Sequence, residues 1–379
     1  MTFEANYDLT YITVDSISEG VGSSQIKPLM RNLSKAGLKI NLITFEKLQP
    51  TSETKDFFTE LGVDWSFEPF GSHGIAGGIA RLNKLRTSIP TTNLIHARSD
   101  IPAVAGVMSG KAPVLWDVRS LWADQKVMIQ GDSRNRFLYR TYRQLESVAA
   151  SKSLGMSSLT KAVVPILELR NGRLPTLRTV VPTAADLERF KMSSVMPNKA
   201  RALFSGTYND YYDLELSAAF IKELRKLVSL EVNWARPQES KRNNLDVEED
   251  STFIANQSDM ARIIPDYSFG MSICKLDAGD SLTAAVPTKI GEFLACGRPI
   301  VVNRGLGDMN EMLNEFNAGI ILDGDSKNLK ESAMKLVNLL NDSQTPQRCR
   351  FLAEKYFSME DGTNKYLSLY ERMIHTSIH

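Results

Sequence analysis

The chain has 379 residues, 42% of them apolar, and a formal net charge of +1 at pH 7. That length suits two α/β domains of about 150–200 residues, and the near-neutral balance argues against nucleic acid as the main partner. Cys274, Cys296 and Cys349 are scattered, with no CxxC pair, and read as buried thiols in a reducing compartment. His73, His96, His375 and His379 lack metal-ligand spacing, so no metal site is expected. The start, MTFEANYDLTYITV, has no basic segment leading into an apolar run, and no stretch approaches the roughly 20 apolar residues of a membrane span. The expected location is the cytoplasm, with any membrane contact peripheral and on the inner face.

Leu9 to Val14, rich in β-branched and aromatic residues, predicts the first strand. The turn Ser18-Glu-Gly-Val-Gly-Ser-Ser24 follows, then Ile26, Leu29, Met30 and Leu33 at helical spacing up to Gly37. Strands are predicted at Lys39–Phe45, Leu94–Ala97, Pro113–Asp117 and Leu154–Ser158, with a helix at Phe137–Ala149. The alternation implies a parallel sheet covered on both faces. It restarts beyond a polar linker at Met192–Lys199, with strands at Ala200–Ser205, Leu230–Trp234, Thr252–Ala255, Phe269–Cys274, Pro299–Val302 and Gly319–Leu322. A helix at Leu214–Val228 belongs to this half, and Glu360–Ile374 closes the chain with Tyr366, Leu369, Tyr370 and Met373 on one face. The expected domains are 1–190, 200–357 and a C-terminal helix, 358–379. Two such sheets facing each other would set their strand C-termini on a central cleft, where open α/β sheets bind ligands.

The segment from Val286 to Val301, VPTKIGEFLACGRPIV, carries the most chemistry. Pro287 suits the first turn of a helix, where its missing N–H costs nothing. The amides of Thr288, Lys289 and Ile290 would then open the helix N-terminus, an anion site suited to a diphosphate. Lys289 adds a positive charge, and Glu292, one turn on, offers a carboxylate to a sugar or ribose diol. An ordinary helix cap with a surface carboxylate is the alternative. Gly20 and Gly22 flank Val21 after the first strand, where a backbone can approach a phosphate or sugar and Ser23 can cap or bind. The turn lacks the third glycine of a dinucleotide fingerprint, and only Glu46 stands near the place of its acid, so no NAD site is expected.

PTKIGEFLACGRPIV resembles the C-terminal signature of glycosyltransferase family 4, retaining enzymes with the GT-B architecture. The resemblance extends to EGVGSSQ at 19–25, TFEK at 44–47, IHAR at 95–98 and WDVRSLWAD at 116–124. It takes in Val181-Pro182, DLERF at 186–190, FSG at 204–206 and NRGLGD at 303–308, in the family's order. It implies two Rossmann-like domains, a C-terminal helix crossing back to the first, and a UDP- or GDP-sugar donor held mainly by the second. No further cofactor is implied. In the family a Glu-x7-Glu pair holds the donor, the first acid on the transferred sugar and the second on the ribose. Glu292 matches the second; the first position is Ala284, with Asp280 nearby as a substitute.

The family's Arg and Lys after the first strand of the second domain are missing from Gly206-Thr207-Tyr-Asn-Asp-Tyr-Tyr-Asp213, which leaves Arg236 and Lys289 to neutralise the diphosphate. Asp117 matches a position where many members carry a histidine contacting the transferred sugar; pairing with Arg119 or capping the next helix is its other reading. Asp117, Lys289 and Glu292 are thus the catalytic candidates. Gly20, Gly22, Ser23, Gly206, Thr207, Arg236, Thr288 and Ile290 complete the donor set, and Arg98, Arg119, Trp122 and Asp124 face the acceptor, a glycan or lipid-linked sugar. Arg134, Arg136, Arg140 and Arg143, interleaved with Phe137, Tyr139 and Tyr142, form a solvated basic face or a peripheral membrane contact. The expected activity is sugar transfer in envelope polysaccharide, lipopolysaccharide or glycolipid synthesis. The alternatives are an epimerase or hydrolase on the same scaffold, or a non-catalytic sugar-nucleotide-binding subunit.

Overall fold

A computed structural model describes residues 5–18, 20–130, 136–206, 211–236, 251–255 and 257–378. The chain forms two compact units, one of residues 1–182 and 360–379, the other of residues 183–359.

In the first unit the strands are β1 (Tyr7–Ile12), β2 (Ile40–Glu46), β3 (Asp64–Pro69), β4 (Thr92–Arg98), β5 (Val114–Val118), β6 (Gly155–Ser158) and β7 (Leu177–Val180). They form one parallel sheet in the order β3-β2-β1-β4-β5-β6-β7. β2 is buried along its whole length, the signature of a strand covered on both faces. The edge strands β3 and β7 were not expected from the sequence. Each lies partly exposed, and β3 mixes acids and a terminal proline with its rings, so neither carries an unbroken apolar run.

The second unit contains β8 (Ala200–Ser205), β9 (Leu230–Arg236), β10 (Ser251–Ile254), β11 (Phe269–Ser272), β12 (Ile300–Asn303) and β13 (Gly319–Leu322). These are parallel too, in the order β10-β9-β8-β11-β12-β13. Phe220, Leu224, Val232, Met271 and Leu336 anchor its core, each fully buried apolar side chain contributing about 1.5–3 kcal/mol. The helix Leu214–Arg225 starts where the Asp213 carboxylate accepts the Leu216 amide at 2.8 Å. Gly270 on β11 lets the helix Thr288–Ala295 sit directly on the sheet, because a Cβ there would lie 2.6 Å from the Phe293 ring.

The last helix, Met359–Ile378, carries the chain back to the first unit. Its Tyr366, Leu369, Tyr370 and Met373 are all buried. Gly155 of β6 makes the approach close, since a Cβ would meet the Met373 sulfur at 2.5 Å. Residues 183–190, expected with the first domain, pack with the second unit instead. Arg298 is wholly buried and needs acceptors; it finds the carbonyls of Ser193 and Val195 at 3.1 and 2.8 Å, while Arg350 takes that of Phe190 at 2.8 Å. Two buried or half-buried guanidiniums thus hold the linker down. Among the described residues no helix is long and apolar enough to cross a membrane.

Candidate functional site

In a parallel sheet the side chains that meet ligands lie at the carboxyl ends of the strands, above all where the strand order reverses. The second sheet reverses between β8 and β11, the first between β1 and β4.

At the second reversal the segments after β8 and β11 pair, Tyr212 bridging Cys274 in antiparallel fashion. Pro287 does not enter the helix. Its extended backbone (φ −58°, ψ 133°) places it just before Thr288, and its carbonyl accepts the Ile290 amide at 3.1 Å. The expected trio of amides therefore loses Ile290, which the turn itself consumes. The Thr288 amide stays at the open end. Lys289 and Glu292 are buried, 7% and 6% exposed, which rules out the alternative of a surface carboxylate. The Lys289 ammonium lies 4.4 Å from the centre of the Tyr212 ring. Burial brings its pKa down to about 8 against the opposing pull of the Cys274 thiol and Glu292.

Gly206 closes β8 with φ +88°, its amide on the Ala235 carbonyl and its own carbonyl bound by the Trp234 indole. Thr207 lies outside the described residues. Arg236 ends β9 with its guanidinium 4.5 Å from the Trp234 ring centre. Ala284 is buried and Asp280 exposed, so the small apolar residue fills a place where a carboxylate would need partners.

At the first reversal, Gly20 takes φ +54° and Glu19 lies outside the described residues. Gly22 has a structural reason to be glycine: a Cβ would fall 1.8 Å from the Ser16 carbonyl oxygen. Ser23 is half-buried in the widened turn Gly22–Ile26 that leads into the next helix. Glu46, buried at the end of β2, is used up by this loop. It accepts from the hydroxyls of Ser16, Ser18 and Thr44 at 2.6, 3.0 and 2.9 Å and from the Ile17 amide at 2.8 Å.

Asp117 ends up inside the first unit rather than on a surface, 1% exposed. Its Oδ1 accepts from Ser157 at 2.8 Å, Tyr366 at 3.2 Å and Arg119 at 3.4 Å; Oδ2 faces His96 Nε2 at 3.4 Å and Arg98 at 3.7 Å. The arrangement is the Arg119 pairing that the sequence left open, enlarged to five neighbours. Burial alone would raise the Asp117 pKa, but Arg119, His96 and Arg98 outweigh it and hold the carboxyl well below its ordinary range. Burial also lowers the His96 pKa, and a neutral imidazole can accept the Tyr370 hydroxyl at Nδ1 (2.6 Å) while Nε2–H points at Asp117.

The acceptor-side candidates are similarly engaged. Arg98 donates to Asp15 at 2.7 Å. Asp124 receives Arg170 through both oxygens at 2.7 and 3.0 Å, and Trp122 packs on Tyr142. Within the basic aromatic stretch, Arg143 pairs with Glu146, Tyr139 reaches Asp124, and Phe137 and Arg140 are exposed. Arg134 and the Arg136 side chain lie outside the described residues. Sequence reasoning missed Tyr212, Ser157, Asp15 and the polar ends of Tyr366 and Tyr370. The four-residue spacing of the last pair was legible, but it announced only an apolar face.

No family model matches the sequence, and no curated protein matches it significantly. Solved structures do match in fold. A sucrose-phosphate synthase from Thermosynechococcus elongatus superposes with a TM-score of 0.72 at 12% identity, over 97% of this chain and 99% of that one. A glycosyltransferase from Rickettsia africae gives 0.70 at 13% identity, over 97% and 98%. HepE from Anabaena, solved in complex with UDP-glucose, gives 0.64 at 10% identity, over 98% and 99%. The chain therefore has the GT-B fold of two Rossmann-like domains.

Proposed function

We propose that this protein is a retaining glycosyltransferase that moves a sugar from a UDP- or GDP-sugar to a glycan or lipid-linked acceptor. The observation that carries the reading is the helix opening at Thr288. A backbone amide at a helix N-terminus, a lysine and a glutamate share one short helix at the strand-order reversal of the second sheet. The helix dipole and Lys289 would meet the diphosphate, and Glu292 would take the ribose hydroxyls. As the diphosphate leaves, amides and ammonium would stabilise its growing charge, so the reading calls for no divalent metal. The fold shared with a UDP-glucose-binding neighbour supports a sugar-nucleotide donor.

On the acceptor side, Arg119 lies against Asp117 and Tyr366, its buried Nε without a hydrogen-bond partner among the described residues. Asp117 would act by orienting Arg98 and Arg119 rather than by touching sugar. An envelope or glycolipid pathway at the cytoplasmic face of a membrane is the setting that the family resemblance favours.

Thermal unfolding in the presence of UDP, GDP and their sugar nucleotides tests the donor, because a ligand of the folded state raises the melting temperature. One of these nucleotides should stabilise the wild-type chain and fail to stabilise Lys289→Ala and Glu292→Ala. Equal stabilisation of all three proteins would refute the site. Ala284 in place of an acid favours a second reading, a sugar-nucleotide-binding subunit without turnover. Transfer of radiolabelled sugar to any glycan or lipid acceptor, with retained anomeric configuration, would exclude it.

A further inference from the structure

The diphosphate subsite proposed above lacks the cationic loop side chains of similar proteins, because residues 206–213 contain no Arg or Lys. Of that segment, the described residues 211–213 pair with the chain after β11 through the bridge between Tyr212 and Cys274. The Lys275 amide donates to the Tyr211 carbonyl at 2.9 Å and the Asp213 amide to the Ile273 carbonyl at 3.0 Å. The Tyr211 hydroxyl donates to the Ser281 carbonyl at 3.0 Å. Tyr212 is held between these bonds, and its ring centre lies 4.4 Å from the Lys289 ammonium. Backbone bonds on both sides fix where that ring can be. A cation this close to an aromatic face is attracted to its π-cloud, more strongly once both are removed from water.

We propose that Tyr212 is a positioning residue for donor recognition, its ring holding the Lys289 ammonium at the opening of the Thr288–Ala295 helix so that the pyrophosphate meets an oriented cation. This rests on the donor-site reading above. Among the described residues, the groups facing Lys289 include Tyr212 after β8, Cys274 after β11 and Glu292 on its own helix. Burial pushes the Cys274 thiol up to about 12, so it stays neutral across the working range. With its own pKa brought down to about 8, Lys289 is mostly charged at neutral pH and loses its charge above. Nucleotide affinity should therefore fall as pH rises through about 8, by at most about tenfold per pH unit for one linked proton.

The test is calorimetric titration of the full chain with UDP and GDP between pH 7 and 9.5, with wild type, Tyr212→Leu, Tyr212→Phe, Lys289→Arg and Lys289→Ala. Tyr212→Leu should bind about fivefold or more weakly at pH 7, and Tyr212→Phe, which keeps the aromatic face, should restore binding. Lys289→Arg, charged throughout, should flatten the alkaline fall. Independently of any folding defect, wild type with ¹³C-labelled lysine should show one ε-methylene signal shifted upfield by the ring and titrating near pH 8. That signal should be missing in Lys289→Arg. If Tyr212→Leu binds as wild type does, or no shifted lysine signal exists, the positioning role is wrong. If wild type binds neither nucleotide, the donor-site reading fails as well. Binding lost in Lys289→Ala but kept in Tyr212→Leu would sink the Tyr212 role alone.

Discussion

The two strand-order reversals are built from opposite materials. In the first unit, Asp15, Arg98, Asp117 and Arg119 balance one another in a chain of ion pairs and hydrogen bonds, roofed by Tyr366 and Tyr370 of the last helix. In the second unit, the cation rests on an aromatic ring beside an open helix end. A charge matched inside the protein has little left to give a ligand. Under the proposed function, the anionic donor would sit at the second sheet and the Asp117 cluster would orient its neighbours.

Removing the hub of the first cluster should have the largest effect on stability. Asp117→Ala would leave the buried Arg119 guanidinium without its carboxylate and Arg98 with Asp15 alone, and cost about 3–5 kcal/mol, read as a lowered midpoint in urea unfolding. A near-neutral result would mean that the cluster is hydrated and the contrast with the second unit is false. Next in size, Glu292→Ala and Lys289→Ala should each lower sugar-transfer turnover about a hundredfold, while costing the fold less than Asp117→Ala does. A larger stability loss than activity loss at Lys289 would turn it into a structural residue.

A smaller effect separates Asp100 and Asp117, two of the buried acids of the first unit, by pH. Asp100, buried beside the Trp116 indole, is raised from an ordinary value near 3.8 to about 7, by burial first and by Glu146 second. A raised carboxyl contributes stability that is complete below its unfolded pKa and lost as pH rises through about 7. The slope is at most about 1.4 kcal/mol per pH unit. Asp117, depressed in the fold, works in the other direction, its contribution fading as pH falls below the ordinary carboxylate range. Unfolding free energies of wild type and Asp100→Asn at pH 5, 6, 7 and 8 should show the variant gaining ground as pH rises from 5 to about 7 and no further above. Parallel curves would show that Asp100 is charged in the native state. The smallest expected change is Tyr370→Phe, which removes one hydrogen bond to His96 and should cost about 1 kcal/mol.

Much of the architecture was legible because burial on both faces leaves its mark on composition. Leu94–Ala97 and Pro299–Val302 read as strands for that reason, and the strands formed are Thr92–Arg98 and Ile300–Asn303; the Tyr366–Met373 spacing announced a helix with one apolar face. The edge strands Asp64–Pro69 and Leu177–Val180 did not, since a half-wet strand has no continuous apolar run to detect. For the site, the Thr288–Glu292 stretch could be found as a helix opening, but Ile290 looked available until its amide was seen on the Pro287 carbonyl.

From its residues alone, then, this chain declares two parallel α/β units, a last helix with one apolar face and the lysine–glutamate helix start, because each is written in local spacing and turn chemistry. Only the tertiary structure could decide which charges are already satisfied. Asp117 lies 21 residues from His96 and 249 from Tyr366, and Lys289 lies 77 from Tyr212. Contacts across such separations leave no trace in neighbouring residues. They exist only once the sheets have set the strand ends side by side.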